Sequence, residues 1–292
     1  MSERVNPTLI SPLRYPGGKG ALAPFLGRII GLQSEAMDTY VEPFAGGAGA
    51  ALRLLYDEYI ERIMLNDIDP GVFAMWRSIV FRTDEFVDRI LTEPINIDRW
   101  REMREIHRNP ENTEELELGF ATFFLNRTNR SGILNANPIG GLEQTGRWKI
   151  DARFPRSDLA ARIRLIGTYR NRIVIEGRDG IEICKEYLPR SRTFLYVDPP
   201  YLNKGGGLYF DTLTWADHQE LAQVLRRNRG CQWLLTYDHD ERVPELYSGL
   251  RCADFNIAHT AARQHVGQEY AVFSDGLRID NLMGLSSPSA VG

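Results

Sequence analysis

Four short apolar runs, at 39–42, 62–65, 194–197 and 233–236, end at or beside a small or acidic residue and pass directly into a turn or a helical pattern. Apolar residues at consecutive positions mark a strand covered on both faces, and such strands separated by helical stretches pair in parallel. The pattern predicts a doubly wound α/β sheet. Residues 47–59 and 215–227 read as flanking helices, the second with Leu221, Val224 and Leu225 on one face and Thr214 placed to cap it. The interval from Pro70 to about Arg147 has no comparable run and is rich in helix formers and charge, so it reads as an inserted helical domain. Its expected helices are 77–91, 97–107 and 113–124. The Gly/Asn/Pro-rich stretch 129–146 is longer than an ordinary connection, as functional loops tend to be. The chain of 292 residues thus divides into a discontinuous core, 1–69 with 150–283, an insertion at 70–149, and a Ser/Pro/Gly-rich flexible tail at 284–292.

Three motifs carry chemistry. The segment Tyr40-Val41-Glu42-Pro43-Phe44-Ala45-Gly46-Gly47-Ala48-Gly49 is a strand, a glycine turn and a helix start, where bare backbone lets a ligand approach closely. No GxGxxG spacing is present, and the acid at the strand end argues against a phosphate there. A nucleoside joined to an amino acid, as in S-adenosylmethionine, fits better because a carboxylate can receive its ammonium or hydroxyl groups. About 20 residues on, Asp67 follows the second run, the position at which nucleoside-binding α/β folds meet ribose hydroxyls. An acid there can equally cap the next helix, and Asp69 before Pro70 is placed to do the same.

The discriminating motif is Leu195-Tyr196-Val197-Asp198-Pro199-Pro200-Tyr201. Two prolines lack N–H groups and fix φ, so the Pro199 carbonyl is held without a competing donor beside it. A carboxylate and a fixed carbonyl accept two hydrogen bonds, which is what an NH₂ group needs if its lone pair is to be aimed at an electrophilic methyl. Tyr201 adds an aromatic face for a base taken out of its stack. Near the start, Arg14-Tyr15-Pro16-Gly17-Gly18-Lys19-Gly20 lacks the spacing of a phosphate loop. Its Lys19 could meet the carboxylate end of an amino-acid cofactor with Tyr15 stacked nearby, or be a solvated lysine on an exposed turn.

The net charge of −4 hides a patch, because residues 120–172 carry ten Lys or Arg against three acids, +7, leaving −11 elsewhere. Such a segment suits a phosphate-binding face as well as a solvated one. Three cysteines, at 184, 231 and 252, have neither metal-ligand nor redox spacing, so no metal site and no disulfide framework is expected. Without a run of roughly 20 apolar residues or a signal-peptide core, a cytoplasmic protein without membrane contact is expected.

The motif order, Tyr-Pro-Gly-Gly-Lys, then Glu-Pro-Phe with glycines, then a long insertion, then Asp-Pro-Pro-Tyr, resembles the Dam-like, α-order class of adenine-specific DNA methyltransferases over roughly residues 11–275. Phe123-Phe124-Leu125-Asn126-Arg127-Thr128 is similar to the same pattern. The resemblance implies a Rossmann-like S-adenosylmethionine-dependent methyltransferase core with an inserted, mainly helical target-recognition domain and a DNA-probing hairpin. By that matching Tyr15, Lys19, Glu42, Phe44, Gly46 and Asp67 fall on cofactor positions, and Asp179 falls on the acid that meets the cofactor's adenine. Asp198, Pro199, Pro200 and Tyr201 fall on the catalytic motif, while Arg127, Arg130 and Asn135 fall where the recognition domain approaches DNA. The sequence departs from the pattern at Ala48, where many relatives have glycine, at Thr128-Asn129-Arg130-Ser131-Gly132-Ile133-Leu134, and in an extra Pro/Gly-rich stretch at 136–148. The last two lie in the expected hairpin, so the GATC target of the best-known relatives does not transfer.

The implied partner is double-stranded DNA in a nucleoid-associated setting, and the implied reaction is direct transfer to the exocyclic amine of a flipped adenine. Cytosine amine methylation and a catalytically silent DNA-binding relative are the alternatives. A covalent attack on a ring carbon is disfavoured because no cysteine follows a proline.

Overall fold

The computed structural model describes residues 11–14, 19–200, 213–227, 230–259 and 265–279, with backbone alone at 255–259 and 265–268. The strands are β1 (Thr39–Glu42), β2 (Arg62–Asn66), β3 (Ile173–Glu176), β4 (Thr193–Val197), β5 (Gln232–Asp238), β6 (Arg251–His259) and β7 (His265–Phe273). They form one sheet in the order β3-β2-β1-β4-β5-β7-β6. The first five run parallel, and β7 enters antiparallel between β5 and β6. This is an α/β fold with a Rossmann-like core.

All five residues of β4 are buried, as expected of a central strand covered on both sides. Successive side chains alternate between two cores. Tyr40, Ile63, Leu65, Phe194 and Tyr196 enter one, and Val41, Met64, Leu195, Val197 and Leu235 enter the other. The second core is closed by helices that follow β3 and β4. The first is closed by α1 (Ala23–Leu32), α2 (Gly49–Tyr56), α3 (Pro70–Phe81), α4 (Thr83–Thr92), α5 (Ile97–Arg108), α6 (Glu115–Thr128) and α7 (Arg156–Thr168). Helix α6 is buried at every residue from Leu118 to Thr128, as a helix enclosed by other helices must be. Its Phe120 and Phe123 meet Phe86 of α4 at ring separations of 5.5 and 5.3 Å.

The four apolar runs are strands, and α9 (Trp215–Arg227), which follows α8 (Gly180–Tyr187), has the expected bounds. The single helix expected over 77–91 is instead two, α3 and α4, broken at Arg82 (φ −123°, ψ 41°). There the Thr83 hydroxyl donates to the Ile79 carbonyl at 2.8 Å and ends the first helix locally. Helix α3 also starts earlier than expected, at Pro70, because Asp69 accepts from the Gly71 and Val72 amides at 2.8 and 3.0 Å. The stretch 129–148 is hydrogen-bonded throughout: Arg130 N donates to Asn137 O at 3.1 Å and Ile139 N to Thr128 O at 2.9 Å. The Gln144 side chain donates to Ile139 O and accepts from Ile150 N, each at 2.8 Å. Among the described residues no helix is long and apolar enough to cross a membrane.

Candidate active site

With this strand order the chain leaves β1 for β2 and β3 on one side and returns to β4 and β5 on the other, so a crevice opens beyond the carboxyl ends of β1 and β4. Glu42 is the last residue of β1, and Asp198 follows β4. Lys19 reaches the same place because its segment lies on the glycine turn. The Ser11 hydroxyl donates to Gly47 O at 2.6 Å, and a Cβ on Gly49 would stand 3.1 Å from Gly20 N. Glycine at 49 is what lets these two backbones come so close, whereas a Cβ on Gly20 would sit in ordinary contact at 3.7 Å.

Lys19 Nζ lies 3.1 Å from Asp198 Oδ1 and donates to both carboxylate oxygens of Glu269, on β7, at 3.0 Å. The lysine and Glu269 side chains are 6% and 2% exposed, whereas Asp198 is 24% exposed and opens toward the crevice. Burial opposes the charge on Lys19, but Asp198, Tyr196 and Glu269 outweigh it and raise its pKa above the usual lysine value. The Thr236 hydroxyl of β5 donates to Asp198 Oδ1 at 2.8 Å and shares a 2.8 Å hydrogen bond with the Tyr196 phenol. Among the described residues, every bond to Asp198 therefore falls on Oδ1. Pro199 is buried and Pro200 half-buried beside it.

A second group of acids lines the β1–β2 side. Glu42 Oε1 accepts from the Tyr40 phenol at 3.0 Å and from Ala51 N at 3.2 Å. Among the described residues its Oε2 receives no bond. Burial pushes its carboxyl up to about 8; the Tyr40 and Ala51 bonds oppose this, and the Asp198 charge adds to it. Asp67 Oδ2 accepts from Gly46 N at 2.9 Å and Oδ1 from Asp69 N at 3.0 Å. Its enclosed position, then the charge of Asp69, push it up to about 7. Gly46 (φ 45°) also accepts at its carbonyl from Trp76 Nε1 at 2.9 Å, so the turn is held from both sides. The Phe44 ring packs on Gly180, where a Cβ would collide with it. Asp179, exposed beside that glycine, caps α8 through the Ile181 and Glu182 amides at 2.7 and 3.1 Å. Acids at the ends of adjacent strands, a positive-φ glycine and an aromatic ring over bare backbone fit a cationic nucleoside cofactor better than a phosphate-bearing one.

The structure thus brings Lys19, Glu42 and Asp198 to one crevice, with Gly46 and Asp67 bonded to each other beside β1 and Phe44 against the start of α8. Lys19 does not stand as a free cofactor contact; its ammonium is held by two carboxylates. Tyr15 and Tyr201 lie outside the described residues. Arg130 and Asn135 are exposed on the 129–148 loop. Arg127 is not: it is 8% exposed, and its guanidinium donates to Pro12 O at 3.3 Å and to Arg153 O. Burial, then Arg14 and Arg162, with Asp158 opposing, push it down to about 9. Arg14 joins the loop to the site, since it donates to Asn129 O at 2.9 Å and stands five residues before Lys19. Glu269 and Thr236 are site residues that no motif had singled out, and Tyr196, within the Asp-Pro-Pro-Tyr segment, had been given no role. The signal for Glu269 is a buried acid within a strand, which shows only once β7 is placed beside β5.

A family model described as D12 class N6 adenine-specific DNA methyltransferase matches residues 15–266. The Type II methyltransferase M.MjaIII of Methanocaldococcus jannaschii is 23% identical over 288 residues, 91% of this chain and 95% of the relative. Among solved structures, the rRNA methyltransferase aviRa from Streptomyces viridochromogenes aligns over 93% of both chains with a TM-score of 0.42 and 14% identity. A SAM-dependent methyltransferase from Agrobacterium tumefaciens aligns over 88% of this chain, which spans 61% of that protein's length, with a TM-score of 0.41 and 8% identity. The chain belongs to the D12 class N6 adenine-specific DNA methyltransferase family, whose reaction moves a methyl group from S-adenosyl-L-methionine to adenine in DNA.

Proposed function

We infer that the protein is a site-specific methyltransferase acting on double-stranded DNA, in reaction class EC 2.1.1.72, with Asp198 and the Pro199 carbonyl as the acceptors for N6 of a flipped adenine. The observation that carries this reading is the one-sided bonding of Asp198: among the described residues Thr236 and Lys19 meet Oδ1 and none meets Oδ2, the oxygen suited to an incoming donor. Two acceptors fixed before the base arrives aim its amine lone pair out of the ring plane, so alignment and preset electrostatics supply most of the acceleration. The cofactor supplies an electrophilic methyl on a sulfonium. Glu42 Oε2 and Asp67 are suited to its ammonium and hydroxyl groups, Phe44 and Gly46 shape its wall, and Asp179 is suited to the adenine amine. Tyr201 is assigned the stacking face for the flipped base on the strength of the motif alone.

Residues 1–69 with 150–283 are assigned catalysis, and 70–149 target recognition. Arg130 and Asn135 are the DNA-facing groups of the recognition loop. Beside Arg130 stand Arg147 and Trp148, which together border a cavity of about 200 Å³, and the Trp148 indole is 62% exposed. Two guanidinium groups and an open aromatic face suit a phosphate with its base or sugar. DNA as substrate supports a cytoplasmic, nucleoid-associated protein, and the Type II designation of the M. jannaschii relative supports a place in restriction-modification.

The test is Asp198→Ala. Methyl transfer into duplex DNA, read as N6-methyladenine by mass spectrometry, should fall about 10²–10³-fold, while cofactor affinity by calorimetry holds. Near-normal turnover would remove Asp198 from the reacting centre, and equal activity on single strands would remove the duplex requirement.

A further inference from the structure

Asp198 cannot serve as an acceptor at full strength if a lysine 3.1 Å away takes its charge alone. A lone Lys19 would neutralise Asp198, draw its electron density toward Nζ, and leave a weakened oxygen facing the amine. The structure contains the remedy. Glu269 closes on the same ammonium with both oxygens at 3.0 Å, and it does so from a position 2% exposed, where an unpaired carboxylate would be expensive to hold. One lysine between two carboxylates leaves the cluster one negative charge, and of the two only Asp198 opens to the crevice. Among the described residues Tyr196, Tyr40 and Glu42 are further ionisable groups near the cluster, and Asp238 stands opposite Glu269 in the β5–β7 pairing. Burial keeps both phenols protonated, and Glu42 is bonded away toward Tyr40 and Ala51.

We propose that Glu269 is a positioning residue for methyl transfer: it holds Lys19 in place as a tether for Oδ1 of Asp198 and balances the lysine's charge, so that Oδ2 meets the target amine as a full carboxylate oxygen. Glu269 touches neither base nor cofactor in this role; it acts through Lys19. The cluster also joins three neighbouring strands, with Lys19 from the segment before α1, Asp198 just after β4, Thr236 from β5 and Glu269 from β7. The terminal antiparallel strand is thereby given a part in the chemistry beyond closing the sheet.

This rests on the reading of Asp198 as the amine acceptor, and the test separates the two. Glu269→Gln removes the charge and keeps the shape. It should lower kcat about 10–100-fold, the loss of one charge-assisted interaction at the reacting centre, with KM for a duplex substrate and the dissociation constant for S-adenosylmethionine within about twofold of wild type. The double variant Lys19→Met with Glu269→Gln should be no slower than the slower single variant, because both changes act on one coupled unit. Wild-type kcat in Glu269→Gln, losses that appear in KM or cofactor affinity, or effects that multiply in the double variant would each overturn the proposal. Glu269→Asp, which keeps the charge but is one methylene shorter, should regain part of the lost kcat; a fold defect alone would give no such recovery. If instead the Asp198 reading were at fault, Asp198→Ala would turn over normally, whatever Glu269→Gln did.

Discussion

Replacing Arg127 by alanine should weaken the fold and leave DNA binding intact. Its guanidinium donates to the carbonyls of Pro12 and Arg153 and so ties the segment before Lys19 and the end of the 3-10 turn before α7 to the end of α6. Alanine strands both acceptors in a buried site, at about 1–3 kcal/mol each, and leaves a void where the stem ran. Against this stands a gain. The cation is pushed down to about 9 by burial and by Arg14 and Arg162, and its Nε is buried without a partner among the described residues. Removing it relieves a cost on the order of a few kcal/mol. The balance for Arg127→Ala is a net loss of about 1–3 kcal/mol, or a fall in Tm of roughly 2–10 °C for a chain of this size. Arg127→Met fills the same channel without a charge and should melt nearer to wild type. In neither variant should duplex affinity, measured at two salt concentrations and below the melting range, change by more than about twofold. A variant Arg127→Ala that melts as wild type but loses affinity, with a salt slope smaller by about one, would put the guanidinium on a phosphate and refute the argument.

How far the sequence reveals this protein depends on how local each signal is. The parallel strands β1, β2, β4 and β5 are legible because each is covered on both faces and so must be apolar at consecutive positions. Strand β3 is not, since it lies at the sheet edge, alternates buried with open positions, and leaves Val174 45% exposed. Strands β6 and β7 carry His, Gln, Asn and Asp between apolar residues and acquire their place only by pairing with each other and with β5. The same division runs through the site. Asp198 with its prolines, the glycine turn and Asp67 can be read locally because their chemistry is contained in a few adjacent residues. Glu269 cannot, because it stands 250 residues from the lysine it holds. Arg127 shows the opposite failure. In sequence it belongs to a basic cluster, but the last turns of α6 are enclosed on every side, so Arg127 lies inside while Arg130, just past the helix end, faces out. Ala48 is explained by structure as well: it adopts φ 46°, a left-handed conformation that glycine takes more cheaply, so the usual third glycine answers a backbone need.

Arg130→Ala should lower affinity for cognate and scrambled duplexes alike and reduce the salt slope by about one if it meets only phosphate, whereas a loss of about 1–3 kcal/mol confined to the cognate site would make it a base reader. Gly180→Ala forces a methyl into the Phe44 ring and should cost about 1–3 kcal/mol of stability with a weakened cofactor affinity; unchanged calorimetry would show that the ring is no part of the cofactor wall. The acids at the ends of β1 and β2 give a pH signature. Glu42 is pushed up to about 8 and Asp67 to about 7, so the folded, cofactor-free protein binds these protons more tightly than the unfolded chain, whose values lie near 4. Their contribution to stability is therefore complete below about pH 4 and is lost as pH rises to about 7 for Asp67 and about 8 for Glu42. Glu42→Gln carries no such proton, so wild type should lose stability relative to it by up to a few kcal/mol between about pH 4 and 8, in parallel chemical denaturations. Cofactor binding runs the other way. A cationic or hydroxyl donor favours the ionised carboxylates, so binding expels protons and wild-type affinity should rise from pH 6 to 8, with a flatter rise in Glu42→Gln. If wild type instead gained stability relative to Glu42→Gln across that range, the Glu42 carboxylate would already be ionised and stabilised in the empty site, and its assignment as the acid that waits for a cationic ligand would fail.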